Sequence, residues 1–365
     1  MPEALALAEQ ALTLSNPNPR VGCVIATPDG QVLGRGFTQQ AGGPHAEIMA
    51  LRDAQGQGHD VRGATAWVTL EPCAHQGRTG PCCDALAAAG IARVVVACTD
   101  PNPRVAGQGL ARLAAAGVVV THGPSAAAAR ELNIGFFSRM LRKTPWVRMK
   151  IAASLDGRTA LDDGRSQWIT DGPARADGHA WRARACAVLT GIGTVLQDDP
   201  LLDVRLAPTQ RQPHLALVDS RLQLPLNARL FAPERQLLVY TASADEAKAD
   251  ALRARGAAVI RLPGRTAETA AKVDLSDMLA DLAAREVNEL HVEAGTQLNG
   301  SLLREQLVDE LLVYMAPKLI GQGMGMARLG PLADLSQAQA LEYRTVDRIG
   351  TDLRILARIP GRDQF

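Results

Sequence analysis

The residues with the most chemical content are His45-Ala46-Glu47 and, beyond an apolar stretch, Pro72-Cys73 and Pro81-Cys82. Imidazole nitrogen and thiolate sulfur are donors that zinc accepts in a tetrahedral site. A catalytic zinc keeps one position for water, so three protein ligands are expected. His45, Cys73 and Cys82 supply those three. Glu47, two residues after the histidine, is placed to take a proton from the activated water and deliver it to a leaving nitrogen. Zinc lowers the pKa of that water toward neutrality, giving hydroxide that can attack an amidine-type ring carbon. H-x-E followed by P-C-x-x-C is the signature of zinc deaminases. Here eight residues, AHQGRTGP, separate the two cysteines. The ligands can still converge from a strand end and from the start of the next helix, whose partly positive N-terminus favours Cys82 as thiolate. His75 and Cys83 compete as ligands by proximity, whereas Cys23, Cys98 and Cys186 lie in apolar runs and read as core.

Those groups need a scaffold, and the surrounding pattern supplies one. Ala4, Leu5, Ala8, Ala11 and Leu12 recur at helical spacing and predict an amphipathic first helix. VGCVIA and QVLGRGF flank Pro28-Asp29-Gly30 and read as a hairpin. A helix is expected after His45, a strand at ATAWVTL, and a helix at CCDALAAAG ending on Gly90. The strand RVVVAC, the helix GQGLARLAAAG and the strand VVVTHG follow, with a further helix over the alanine-rich residues 126–129. This alternation predicts an α/β domain of three layers, a sheet with helices on both faces.

The chain has 365 residues, enough for two domains of ordinary size. The basic stretch RMLRKTPW places the boundary near residue 145, dividing the chain into 1–145 and 146–365. The second half opens on the strand VRMKIAAS and has further strands near 186–190, 214–219, 236–240, 257–261, 289–293 and 309–315. Lys and Arg total 39 against 38 Asp and Glu, and aromatics are only 3%. That balance argues against a nucleic-acid partner, which needs a basic surface and stacking platforms. No window is long and apolar enough to span a bilayer, so no membrane partner is expected. Six cysteines in a chain of this size suit a reducing, cytoplasmic compartment.

The stretch Asn16-Pro17-Asn18-Pro19-Arg20-Val21-Gly22-Cys23-Val24, followed by GGPHAE and TLEPCAHQGRTGPCCDAL, closely resembles the bifunctional riboflavin-biosynthesis deaminase-reductases. The long gap between Cys73 and Cys82 is that family's variant of the cytidine-deaminase-like site. DPNPRVAGQG, ASLDGRTA, SQWIT, TVLQDDPLLDVR and VEAG extend the resemblance over most of the chain. It implies that residues 1–145 deaminate 2,5-diamino-6-(5-phosphoribosylamino)pyrimidin-4(3H)-one, with zinc on His45, Cys73 and Cys82 and Glu47 as proton shuttle. Asn18 is then a candidate partner for the pyrimidine edge, or simply a turn former.

The second half lacks the G-x-G-x-x-G fingerprint of a Rossmann domain. Gly191-Ile192-Gly193 continues to Leu196, and Gly321, Gly323 and Gly325 have the wrong spacing. By its residues alone it is an α/β domain of open activity. Lys150-Ile151-Ala152-Ala153-Ser154-Leu155-Asp156-Gly157-Arg158 looks like the opening of dihydrofolate-reductase-like enzymes, which bind NADPH without that fingerprint. The resemblance implies hydride transfer to the ribose of 5-amino-6-(5-phosphoribosylamino)uracil, opening it to a ribityl chain. It assigns Ala152, Trp168, Thr194, Asp198, Gly295, Thr296, Gln297, Leu298, Asn299, Gly300 and Ser301 to NADPH. It assigns Ser166, Arg182, Leu202, Arg205 and Glu293 to the substrate. Guanidinium groups at Arg182 and Arg205 suit a phosphate, and the helix opening at Gly295 can offer N–H groups to a cofactor phosphate. Other members often carry proline after that glycine, and a hydroxyl residue where Asp203 stands.

The expected partner is a small pyrimidine nucleotide, and a homo-oligomer is the expected assembly. Two other readings of the zinc group remain: a deaminase of nucleic-acid bases with an unrelated second domain, and a structural zinc module. A structural site would close on four protein ligands and leave Glu47 unexplained.

Overall fold

A computed structural model describes residues 1–74, 80–103 and 105–365. The chain forms two compact units, Met1–Lys143 and Thr144–Phe365. In the first, α1 (Pro2–Glu9) leads into β1 (Gly22–Ala26), β2 (Val32–Phe37), α2 (Ala46–Gly56), β3 (Thr65–Val68) and α3 (Cys82–Ala88). Then come β4 (Arg93–Val96), α4 (Gln108–Ala115), β5 (Val119–His122), α5 (Ala126–Leu132) and α6 (Ile134–Arg142). The sheet order is β2-β1-β3-β4-β5, antiparallel where β1 meets β2 and β3, parallel from β3 to β5.

Glycines set how closely the first two helices lie on this sheet. A Cβ on Gly36 of β2 would come 2.2 Å from the Ala46 carbonyl oxygen, and one on Gly34 would come 2.2 Å from that of Ala50. Only a bare backbone lets α2 lie this close, and α2 carries Glu47 in its first turn. Gly22 makes the same approach to α1, its Cβ position being 1.8 Å from the Ala4 oxygen. Gly22 pairs with Phe37 and Cys23 with Gly36, so the two helices take opposite faces. This is the three-layer arrangement expected from the alternating pattern. The first helix is shorter than its apolar periodicity, ending at Glu9, although Ala11 is still buried.

The second unit contains β6 (Trp146–Ser154), β7 (Arg158–Ala160), α7 (Gly172–Arg184), β8 (Ala187–Gly191), α8 (Ile192–Asp198), β9 (His214–Val218) and β10 (Leu237–Thr241). It continues with α9 (Glu246–Ala254), β11 (Ala257–Arg261), α10 (Leu275–Ala284), β12 (Glu289–Val292), α11 (Thr296–Arg304) and β13 (Glu310–Ala316). The short β14 (Met324–Gly325) pairs with β7, and β15 (Glu342–Ile349) and β16 (Asp352–Arg358) end the chain. The large sheet runs β11-β10-β9-β8-β12-β6-β13-β16-β15. Every neighbouring pair through β13 is parallel, and the last two strands form an antiparallel hairpin. Strand alternation divides the interior, Ala187 and Leu189 packing into one core and Val188 into another.

The terminal hairpin was not anticipated. EYRTVDRI shows no apolar face because β15 is the sheet's outer edge and is largely exposed. All the strands expected between 186 and 315 are present. No helix among the described residues is long and apolar enough to cross a membrane.

Candidate active sites

His45 is the residue before α2, Cys73 follows β3 in an irregular segment, and Cys82 opens α3. Their ligand atoms lie within 4.8 Å of one another. His45 Nδ1 is 3.4 Å from Cys82 Sγ and 3.6 Å from Cys73 Sγ. Nitrogen and sulfur ligands on one tetrahedral zinc stand about 3.6 Å apart, so these spacings fit that ion. The hydrogen bond from Cys82, with one from His45, pulls the Cys73 thiol down against the effect of burial. The Cys82 thiol is pushed up by its bond to Cys73 and by burial. One sulfur ionises at the other's expense.

The start of α3 also serves the other cysteine. The backbone N–H of Cys82 donates to Cys73 Sγ at 3.4 Å and so favours the Cys73 thiolate. Cys83 faces away from the cup, its Sγ on Asp84. Cys23, Cys98 and Cys186 are buried as expected. His75, the other nearby donor, lies outside the described residues.

Glu47 is only 3% exposed, and burial pushes its carboxyl up to about 7 against the pull of His45. Glu71, beside Pro72, accepts the N–H groups of Asp100 at 3.2 Å and of Gly107 and Gly109 at 2.9 Å each. This carboxylate therefore ties the DPNPRVAGQG segment to the Cys73 turn, a role that neither motif revealed in sequence. Asn18 lies in the turn before β1, its N–H on the Ser15 carbonyl and its own carbonyl accepting from Ser15 Oγ.

In the second unit the assigned residues gather at the carboxyl ends of parallel strands, where open α/β sheets bind ligands. Ala152 lies on β6, Thr194 and Asp198 on α8 after β8, and Glu293 just past β12. A Cβ on Gly295 would lie 3.7 Å from Thr194 Oγ1, and one on Gly191 would lie 3.4 Å from Leu298 Cδ2. The starts of α8 and α11 thus converge. Gly295 precedes α11 and has no side chain to cap it, so the first-turn N–H groups have no capping side chain from that position and can serve an anion. That arrangement fits a cofactor phosphate. Thr296 and Gln297 continue the same turn. Asn299 and Gly300 face a neighbouring loop: Asn299 Nδ2 donates to the Met326 carbonyl, and a Gly300 Cβ would be 2.2 Å from that of Arg328. Ser301 Oγ accepts from Arg304. Trp168 is 60% exposed beneath the Arg175 guanidinium, 4.6 Å from its ring centroid. Lys318 Nζ holds the Trp168 and Ile169 carbonyls.

The substrate candidates differ in how they are engaged. Arg182 Nε and Nη2 grip Glu293 at 2.6 and 2.8 Å, and its Nη1 donates to the Asp203 carbonyl. Burial would raise the Glu293 carboxyl, but Arg182, His291 and Lys150 hold it well below the usual range. Arg182 is therefore a buried partner of Glu293. Arg205 is exposed and bonds Asp203 Oδ1 at 2.6 Å. Leu202 is buried with φ of 50°. Ser166 is half-buried, two residues before Trp168. Sequence reasoning gave no role to Lys150, whose ammonium is lowered by burial beside Glu293 and Arg182, or to the buried His291 and His179. Lys150 and His291 stand on neighbouring strands, a juxtaposition that no local spacing announces.

Comparison with known proteins adds an independent line. The model for the cytidine and deoxycytidylate deaminase zinc-binding region matches residues 1–98, and that for the RibD C-terminal domain matches residues 145–355. The riboflavin biosynthesis protein RibD of Escherichia coli (strain K12) is 43% identical, covering 97% of this chain and 96% of its own. That of Aquifex aeolicus is 39% identical, covering 96% and 95%. The Acinetobacter baumannii RibD structure superposes with a TM-score of 0.87 at 39% identity, over 98% of this chain and 97% of its own. A Thermotoga maritima diaminohydroxyphosphoribosylaminopyrimidine deaminase/5-amino-6-(5-phosphoribosylamino)uracil reductase gives 0.86 at 32%, with the same coverage. Matched from end to end and in the same domain order, this chain belongs to the RibD family, carrying a zinc-dependent deaminase and an NADPH-type reductase of riboflavin biosynthesis.

Proposed function

We propose that residues 1–145 carry the deamination and residues 146–365 the reduction, each through the residues its own cleft brings together. His45, Cys73 and Cys82 hold zinc, and the single observation that carries this is their mutual spacing. Zinc, when bound, acidifies a water for attack on the amino-bearing ring carbon. Glu47 takes the proton that water loses and delivers it to the departing nitrogen, which leaves as ammonia. Burial suits Glu47 to this work, because a carboxyl raised toward neutrality both accepts and returns a proton. Asn18, in the turn before β1, is the proposed partner for the pyrimidine edge.

In the reductase, Ala152, Trp168, Thr194, Asp198 and the segment 295–301 hold NADPH, which supplies hydride to the ribose carbon. The uncapped start of α11 beside Thr194 supports this reading. Ser166, Leu202 and Arg205 bind the phosphoribosyl substrate, with Arg182 and Glu293 forming a paired, buried wall behind it. Incubation with the diaminopyrimidine nucleotide, followed by mass analysis, tests the whole scheme. The deaminated nucleotide alone is expected without NADPH, and a product two hydrogens heavier with it. Reduction of the starting nucleotide before deamination would refute the order of steps.

The chain works as a homo-oligomer on this reading, a small pyrimidine nucleotide being its other partner. The edge strand β15 supports assembly, with no further strand paired to it among the described residues and with Tyr343 (73%) and Val346 (55%) exposed. Six free cysteines suit a cytoplasmic location.

A further inference from the structure

Between α8 and β9, the stretch from Asp199 to Arg205 is clamped at nearly every residue. Asp199 Oδ1 accepts the Arg229 N–H at 2.8 Å. The Leu201 and Leu202 carbonyls both accept from the Arg235 guanidinium, and that of Asp203 from Arg182. Gln212 bonds both the N–H and the carbonyl of Val204, at 2.7 and 3.0 Å, and His179 Nδ1 accepts the Arg205 N–H at 3.2 Å. Leu202 sits in the left-handed region, with φ of 50°, a conformation that disfavours a branched side chain and needs external support. Arg235, just before β10, supplies that support from both sides of the turn.

Arg235 is an expensive way to make this tie. Burial and the neighbouring Arg182 lower its guanidinium to about 10, and its buried Nε has no partner. Asp203, the carboxylate whose charge acts on it, is bonded to Arg205 instead. A half-buried cation whose Nε is desolvated without a partner still costs stability, and a neutral donor would tie two carbonyls with less penalty. A role in function accounts for the residue better than one in stability.

We propose that Arg235 is a positioning residue of the reductase, holding the left-handed turn at Leu202 so that Leu202 and Arg205 meet the phosphoribosyl group of the substrate. The proposal rests on the reading of Leu202 and Arg205 as substrate contacts. Arg235 itself touches neither substrate nor cofactor, and it acts through two backbone carbonyls. Its loss frees the turn, and the entropy of ordering that turn is then charged to substrate binding.

The test is steady-state reduction of the deaminated phosphoribosyl substrate by the full-length enzyme and by R235A, R235K, R205A and R205A/R235A. R235A is expected to raise the substrate KM about tenfold, the size of one charge-assisted hydrogen bond. Its NADPH KM stays at the wild-type value, and R235K recovers part of the loss. The double variant falls short of the product of the two single effects, because both act on one turn. A wild-type substrate KM in R235A with a raised one in R205A refutes the proposal alone, as does a fully multiplicative double variant. A wild-type KM in R205A refutes the substrate-contact reading and the proposal with it. If R235A fails to fold, R235K and R235Q carry the same comparison.

Discussion

The backbone N–H of Cys82 points at the sulfur of Cys73, 3.4 Å away. One ligand's amide thus stabilises the other ligand's charge before any metal arrives, and Cys83, one residue on, is turned away toward Asp84. Adjacent cysteines at a helix start cannot both face one cup, since successive side chains are about 100° apart.

Cys82→Ser is therefore expected to release zinc, whereas Cys83→Ser retains it. Metal analysis of the purified variants reads this directly. The reverse pattern would mean that Cys83 is the ligand and that this stretch of chain rearranges around the metal.

Glu47 lies beside the cup without belonging to the three-ligand set. Glu47→Ala should keep zinc, lose deamination by about 10²–10⁴-fold, and still reduce supplied deaminated substrate. Loss of zinc from this variant would sink the assignment of Glu47 as proton carrier.

Acid should weaken the reductase unit before it reaches ordinary carboxylate pKa values. Burial lowers His179 to about 4, with Arg182 and Arg205 adding repulsion against Glu293 and Asp203. Burial lowers His291 to about 3, Glu293 opposing it and Arg148, Arg182 and Lys150 reinforcing it. The unfolded value is about 6.5, so both histidines bind protons more readily unfolded. Their stabilisation is complete above that value and is lost as pH falls through the folded ones. At pH 5 each would withdraw on the order of 2 kcal/mol. Urea midpoints followed by tryptophan fluorescence at pH 7 and pH 5 measure the fall, and His291→Leu should reduce it. An unchanged midpoint at pH 5 would contradict the neutral, buried state of these rings.

The zinc group was legible in sequence because its chemistry is concentrated in a few residue types at short spacing, and the strand and helix that carry it have strong local patterns. The parallel strands were legible for the same reason, each being an apolar run between turn signals. Arg235 was not, since it acts on carbonyls 33 and 34 residues away and carries no motif. Arg182 suggested a phosphate ligand by residue type, and only the fold shows its guanidinium engaged by Glu293. The β15 edge escaped notice because an exposed strand has no face for burial to mark.

Gly300 offers the sharpest check on the cofactor cleft. Its missing side chain lets the backbone at Arg328 lie against α11, where a Cβ would stand 2.2 Å from a carbonyl oxygen. The same loop is tied to the first turn of that helix by Arg328 N–H on the Thr296 carbonyl at 2.9 Å. Gly300→Ala cannot be absorbed by a flexible side chain, because the atoms it meets are backbone. The added methyl must push the loop outward or tilt the helix, at a cost of about 1–3 kcal/mol. Either movement displaces the N–H groups at Gly295 and Thr296 that are proposed to receive the cofactor phosphate. The NADPH KM should rise about tenfold, while deamination, which belongs to the other unit, proceeds at the wild-type rate. A variant with lowered thermal stability but an unchanged NADPH KM would show that the first turn of α11 is scaffold and that the cofactor is held elsewhere.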